Sequence, residues 1–248
     1  MKNKSLILIF ILTFTFILIT ISSGYVQTEN LIFQARNAYY KSNYEEAKKL
    51  WLEVKNKGIN EWEANFFLGM VYLRKDKLQK ADKYMDNAYN LSTDDYYTLV
   101  NYARILYRKN DYNSAREKLN EVPEDLRDYN EQFYNIHGLL KMAENNFKQA
   151  IEYFNKAIGI NPENYYIQNN LGLALIRSQN YELAKTHLKS ATAQKPQEAY
   201  IYNNLGISYE NLNQLYKAKE SYEKALNLNP DHNKAEINLK RVISKIND

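Results

Sequence analysis

The chain has 248 residues, with 33 Lys and Arg against 29 Asp and Glu, and it contains no cysteine. Its net charge of +4 is spread along the chain and forms no basic stripe of the kind that displaces counterions, so a nucleic-acid partner is not expected. Without cysteine there is no disulfide framework, no thiolate metal site, no thiol catalysis and no lipid-modified N-terminal cysteine.

The first element is the leader MKNKSLILIFILTFTFILITISSG. Lys2 and Lys4 precede an uncharged apolar run from Leu6 to Ile21, and the small residues Ser22, Ser23 and Gly24 close it. A basic start, an apolar centre and small residues at a cleavable end make an export signal. The run is slightly long for a cleaved signal and slightly short for a comfortable membrane span, so two outcomes stay open. Either residues 5–22 stay in the membrane as an anchor, or the leader is removed and the remainder is soluble in the periplasm or secreted. In both cases the basic flank keeps the N-terminal end cytoplasmic and sends the rest of the chain across. Residues 1–27 are expected to form this signal peptide or signal-anchor helix.

A repeat begins after the leader. Ala47, Ala81, Ala115, Ala150, Ala184 and Ala218 are separated by 34, 34, 35, 34 and 34 residues. Ahead of each lies a second small residue: Ala35, Gly69, Ala103, Gly138, Gly172 and Gly206. Behind each comes Val54, Ala88, Val122, Ala157, Ala191 or Ala225, and three units close on Pro162, Pro196 and Pro230. In the last unit Ile201, Tyr202, Leu205 and Tyr209 recur at helical spacing beside Gly206, and after a polar turn, Asn211 to Gln214, a second helix is predicted from about Leu215 to Leu228. The glycine of the first helix is expected to face the alanine of the second, so that two antiparallel backbones approach closely, and proline then stops the pair. Each unit is thus a helical hairpin.

Six hairpins are expected between about Thr28 and His232. Pro123 shortens the second helix of unit three, and the segment PEDLRDYNE carries the one extra residue, which suggests two groups, residues 28–130 with units one to three and residues 131–232 with units four to six. Residues 233–248 read as an amphipathic capping helix, apolar at Ala235, Leu239, Val242 and Ile246.

A hairpin of this size cannot bury its apolar faces alone, so neighbours must stack. The 34-residue period, the small residues at contact positions, Asn170 to Gly172 and Asn204 to Gly206 as Asn-Leu-Gly, and the closing prolines resemble the tetratricopeptide repeat (TPR) family. The match is best in the last three units; Ala35 and Ala103 replace glycine in the earlier ones, and Glu61 and Thr93 stand where proline is expected. The resemblance implies an all-α fold, a right-handed α–α superhelix (solenoid) of six hairpins plus the C-terminal cap.

Chemistry is sparse. His137, His187 and His232 are distant in sequence with no histidine or cysteine partner nearby, so no metal site and no cofactor are expected. Pairs such as Asp94 with Asp95 and Glu124 with Asp125 precede predicted helices, where carboxylates cap free N–H groups. There is no Gly-rich phosphate loop and no serine elbow, and the leader, repeats and cap account for the sequence without a catalytic domain, so no catalytic residue is assigned and no small-molecule substrate is expected.

The groove remains. The resemblance implies that first helices line a concave surface, which places Arg36 and Tyr39, Arg74, and Tyr97, Arg104, Tyr107 and Arg108 on it in units one to three. Units four to six add Asn135, then Tyr166, Asn169 and Arg177, then Tyr200 and Asn203. Tyrosine offers a rigid amphipathic face, asparagine pairs with both donor and acceptor of an extended backbone, and arginine forks onto carboxylates. The expected partner is an extended segment of another protein, and the expected role is a non-enzymatic scaffold or assembly factor of the cell envelope. The five-residue clamp for a C-terminal carboxylate is not expected, because its cation positions are unfilled. Two alternatives stand beside this reading: self-association through the groove, and recruitment of substrate for an enzyme complex.

Overall fold

A computed structural model describes residues 26–247, and the described residues are helices joined by turns. The leader and its apolar run lie outside them. Among the described residues no helix is long and apolar enough to cross a membrane.

The described residues fall into two compact units, divided between Asp111 and Tyr112. The first holds α1 (residues 26–40), α2 (Tyr44–Asn56), α3 (Glu61–Arg74), α4 (Leu78–Leu91) and α5 (Tyr96–Arg108). The second begins with a short α6 (Tyr112–Asn120) and the single turn α7 (Glu124–Arg127), which follows Pro123. It continues with α8 (Glu131–Ala143), α9 (Phe147–Ile160), α10 (Tyr165–Arg177), α11 (Tyr181–Gln194), α12 (Ala199–Asn211), α13 (Leu215–Leu228) and α14 (Asn233–Asn247). In each unit a helix packs on its successor: α3 on α4, α8 on α9, α10 on α11 and α12 on α13 form hairpins, and α2 on α3, α9 on α10 and α11 on α12 join one hairpin to the next.

The starts follow from local chemistry. The side chains of Asn43, Asn60, Asp95, Asn130, Asn146 and Asn164 each accept a hydrogen bond from a first-turn N–H that has no partner within its helix. The turn inside each hairpin repeats as faithfully as the helices do. Ser42, Asp76, Asn110, Asn145, Gln179 and Asn213 all adopt a left-handed backbone, with φ between 57° and 65° except for Asp76 at 55°. Short polar side chains tolerate that conformation better than other non-glycine residues, which is why these turns are polar yet contain no glycine.

The packing corrects one expectation. The notches made by Gly138, Gly172 and Gly206 receive the large residue four positions after the repeated alanine, whereas at Gly69 Met85 shares the notch with the backbone carbonyl of Ala81. A Cβ on Gly172 would lie 2.6 Å from Leu188 Cγ, one on Gly138 would meet the Phe154 ring, and one on Gly206 would meet Tyr222. Leu188, Phe154 and Tyr222 are fully buried. In the first hairpin Ala35 and Trp51 share one buried cluster, where alanine suffices because the flat indole stacks on Phe67 at 4.7 Å.

α14 takes the place of one more first helix. It packs on both α12 and α13, burying Ala235 and Val242. Glu210 on α12 is buried and is the hub of this end: it accepts from Arg241 Nε and Nη2 at 2.8 Å each, from Lys245 Nζ at 2.9 Å and from Tyr222 Oη at 2.8 Å. Burial alone would raise its carboxyl, but the hydrogen bonds from Arg241, Lys245 and Tyr222 outweigh that and hold its pKa at about 2.

Candidate functional site

The first helices of unit 1 form an aromatic slot. α3 is apolar nearly all round, EWEANFFLGMVYLR, and cannot hide every large side chain against α2 and α4. Phe67 turns inward onto Trp51; Trp62 and Phe66 stack on each other at 5.7 Å and line a cavity of about 590 Å³ together with Met70. α1 contributes Tyr39 and Tyr40, and Tyr97 closes the far side from α5. Tyr40 is 72% exposed and Tyr97 55%, so this surface is open to water although it is aromatic.

Polar groups are set into its edge. Arg36 forks onto Glu63, with Nε on Oε1 and Nη2 on Oε2 at 2.7 Å, and Asn60 Nδ2 donates to the same carboxylate at 2.6 Å. Glu63 is 4% exposed, so a buried carboxylate fixes the Arg36 guanidinium in the slot wall. Burial raises the Tyr39 hydroxyl pKa, a hydrogen bond from Arg74 and the charges of Arg74 and Arg104 partly offset it, and so Tyr39 stays a neutral phenol at ordinary pH.

Four of the residues singled out from the sequence, Arg36, Tyr39, Arg74 and Tyr97, are brought together here. Arg104 and Tyr107 are half-buried on α5, and Arg108 is exposed and paired with Asp76 at 2.8 Å. Eight lining residues were missed: Tyr40, Ser42, Tyr44, Trp62, Glu63, Phe66, Phe67 and Met70. For Trp62, Phe66, Phe67 and Met70 the signal was available in the all-round apolarity of α3.

In unit 2 the asparagines are differently employed. Asn170 Nδ2 donates to Asn135 Oδ1, Asn204 Nδ2 to Asn169 Oδ1 and Asn238 Nδ2 to Asn203 Oδ1, each at 2.9 Å. The result is a ladder from α8 through α10 and α12 to α14, one rung per repeat. Asn135, Asn169 and Asn203 are 1%, 5% and 5% exposed. Their carbonyl oxygens bond to the next repeat, so as placed they hold the repeats together, where the sequence reading had them facing a peptide backbone. Tyr166 and Arg177 are exposed on α10, and Tyr200 is half-buried on α12, where burial raises its hydroxyl pKa.

The histidines serve the fold, and His232 Nδ1 accepts from the Ala235 N–H at the start of α14 at 3.1 Å. His137 stacks on Tyr153 at 4.9 Å, and burial with nearby cations lowers its pKa to about 4; His187 Nδ1 lies 2.7 Å from Gln168 Oε1. Among the described residues no group of three His, Asp or Glu is arranged to hold a metal ion.

A chain of stacked helical hairpins with an open aromatic slot on its first helices is a repeat scaffold of the class that mediates protein–protein contacts. Three tetratricopeptide-repeat models match residues 63–95, 141–205 and 199–232, together about half of the sequence, and the chain belongs to the tetratricopeptide repeat family. No curated protein sequence matches it. Among solved structures it is similar to a chain of the APC/C hetero-tetramer Cut9–Hcn1, with 16% identity, a TM-score of 0.79, and coverage of 87% of this chain but 42% of that one. It thus spans less than half of that protein's length. pilF of Pseudomonas aeruginosa gives 17% identity and a TM-score of 0.70 over 88% of this chain and 97% of that one. YrrB, a TPR protein with an unusual peptide-binding site, gives 21% and 0.54 over 71% and 91%. At these identities the likeness is one of fold.

Proposed function

We propose that the chain is a non-enzymatic scaffold of the cell envelope that holds an extended segment of another protein in the aromatic slot of unit 1. The leader carries the repeats across the membrane, and residues 5–22 anchor them there unless the leader is cleaved. Small-molecule substrates and nucleic acid have no part in this reading. The slot is the observation that carries it. Rigid tyrosine, tryptophan and phenylalanine faces left open to water lose free energy that a covering side chain recovers, at about 25 cal/mol per Å² of apolar surface, and aromatic residues with arginine dominate the energetics of protein interfaces. The ladder of unit 2 points the same way, since its asparagine carbonyls already have acceptor duties within the array.

A photo-crosslinking residue placed at Tyr97, and separately at Tyr40, in the full chain in its native cell tests the reading, with Tyr216 on α13 as the control. The slot positions are expected to yield one crosslinked segment of another protein, and Tyr216, which is 76% exposed, is not. Identical products from all three positions would sink the slot as the binding surface. Crosslinks from the slot to a second copy alone would establish self-association instead. A reporter fused after Asp248, with protease added outside the cytoplasmic membrane, tests export: full protection of the repeats would place them in the cytoplasm.

A further inference from the structure

The arginines and lysines of unit 1 are segregated. Arg36 on α1, Arg74 on α3, and Arg104 and Arg108 on α5 are the arginines of residues 26–111, and these three helices carry no lysine. The lysines lie on α2 and α4, as Lys48, Lys49, Lys55, Lys80 and Lys83, or in the turns. Solubility alone would be served by either residue on either face. A planar guanidinium differs from an ammonium in two respects: it forks onto a carboxylate with two parallel hydrogen bonds, and it lies flat against aromatic rings. Its confinement to the helices that build the aromatic slot is therefore chemically selective.

From this segregation we infer that the slot selects a segment in which a carboxylate stands beside an aromatic or large aliphatic side chain. The inference rests on the slot reading above and names the chemistry it recognises. The apolar side chain lies against Tyr40, Phe66 and Tyr97, and the carboxylate meets Arg74 in the slot lining, with the charge of Arg104 on α5 adding to the attraction. Glu63 is the one acid among the described lining residues, and Arg36 and Asn60 already occupy its oxygens, so it does not repel an incoming carboxylate as a bare charge would. Arg74 lines the slot and rests on the neutral hydroxyl of Tyr39. Exchanging that neutral acceptor for a carboxylate turns the contact into an ion pair that can be forked by two parallel hydrogen bonds. Arg104, on the neighbouring α5, acts electrostatically on the same hydroxyl.

The test uses the full chain in detergent micelles and a displayed library of random short linear peptides. Enriched sequences are expected to carry Asp or Glu within two residues of Phe, Tyr, Trp or Leu. In a synthetic copy of an enriched peptide, replacing the acid by its amide should weaken binding about tenfold, as loss of one charge-assisted hydrogen bond does. That acid-to-amide gap should narrow in the double variant Arg74→Lys with Arg104→Lys, which keeps both charges and removes both forks. Amidating the peptide's C-terminus separates the two sources of a carboxylate, because affinity is retained if a side chain supplies it and lost if the terminus does. Enrichment of neutral or basic peptides, or an unchanged gap in the double variant, overturns the inference and leaves the slot reading standing. Enrichment no greater than that given by Tyr40→Ser with Phe66→Ser overturns the slot reading and this inference with it. The acid-to-amide comparison is made on the parent chain and so does not depend on any variant folding.

Discussion

Asn170 donates a hydrogen bond from Nδ2 to Oδ1 of Asn135 at 2.9 Å, with both side chains buried between the first helices of successive repeats. Asn135→Ala removes the acceptor and leaves the Asn170 amide buried with a donor unused, at a cost of about 1–3 kcal/mol. Asn135→Ala with Asn170→Ala should cost less than the sum of the two single changes, since the second removes the group that the first left unsatisfied. Denaturant unfolding of the cycle measures the coupling, and strict additivity would mean that the rung carries no energy.

Two of the helical glycines, Gly172 and Gly159, should respond in opposite directions. A Cβ at Gly172 runs into Leu188, so Gly172→Ala is expected to destabilise by about 1–3 kcal/mol. Nothing lies within 4 Å of a Cβ at Gly159, near the end of α9, so Gly159→Ala is expected to stabilise by about 0.5–1 kcal/mol. Thermal melts of both variants check the sign of each shift.

Gln179 has φ of 65°, a left-handed conformation that crowds its Cβ. Gln179→Gly is expected to raise stability by up to about 1 kcal/mol, whereas Gly58→Ala, at φ of 64°, should lower it by a similar amount. A loss of stability in Gln179→Gly would show that the side chain does more for the turn than its backbone costs.

Glu210 makes the C-terminal end sensitive to acid. Its carboxyl is held at about 2 in the folded chain against an ordinary value of 4.5, so it binds protons less readily folded than unfolded. The stability it confers is fully present above about 4.5 and is lost as pH falls from there to about 2. Glu210→Gln leaves Arg241 and Lys245 without their common carboxylate, should cost about 3 kcal/mol at neutral pH, and should flatten the acid limb of a stability profile. A parental profile no steeper than that of Glu210→Gln between those pH values would contradict the hub.

Tyr40 and Tyr97 are exposed, so Tyr40→Ala and Tyr97→Ala should change stability by no more than about 0.5 kcal/mol. Each should nevertheless weaken partner capture by about 1–3 kcal/mol if the slot is the contact surface. Tyr216→Ala, at a still more exposed tyrosine of α13, should change neither quantity. Binding of the crosslinked segment identified above, measured on all three variants, decides the point.

The sequence by itself determined the hairpins. A 34-residue spacing of small residues is a statement about local geometry, because helix period and close packing force glycine and alanine to recur wherever two helices touch, and α12 and α13 begin and end as that spacing requires. The cap was legible for the same reason, from the apolar side of α14. Only the tertiary structure decided which residue fills each glycine notch, since Leu188, Phe154 and Tyr222 reach Gly172, Gly138 and Gly206 from the opposite helix, a contact that periodicity along one helix does not specify. It also separated the two kinds of groove residue. Asn135, Asn169 and Asn203 occupy positions that face a groove on a single helix, and their employment in a ladder depends on an amide brought within 2.9 Å by the following repeat. Arg36, Tyr39, Arg74 and Tyr97 were assigned one helix at a time, but the slot they share exists because α1, α3 and α5 set them beside the surplus aromatic face of α3, an arrangement fixed by packing between repeats.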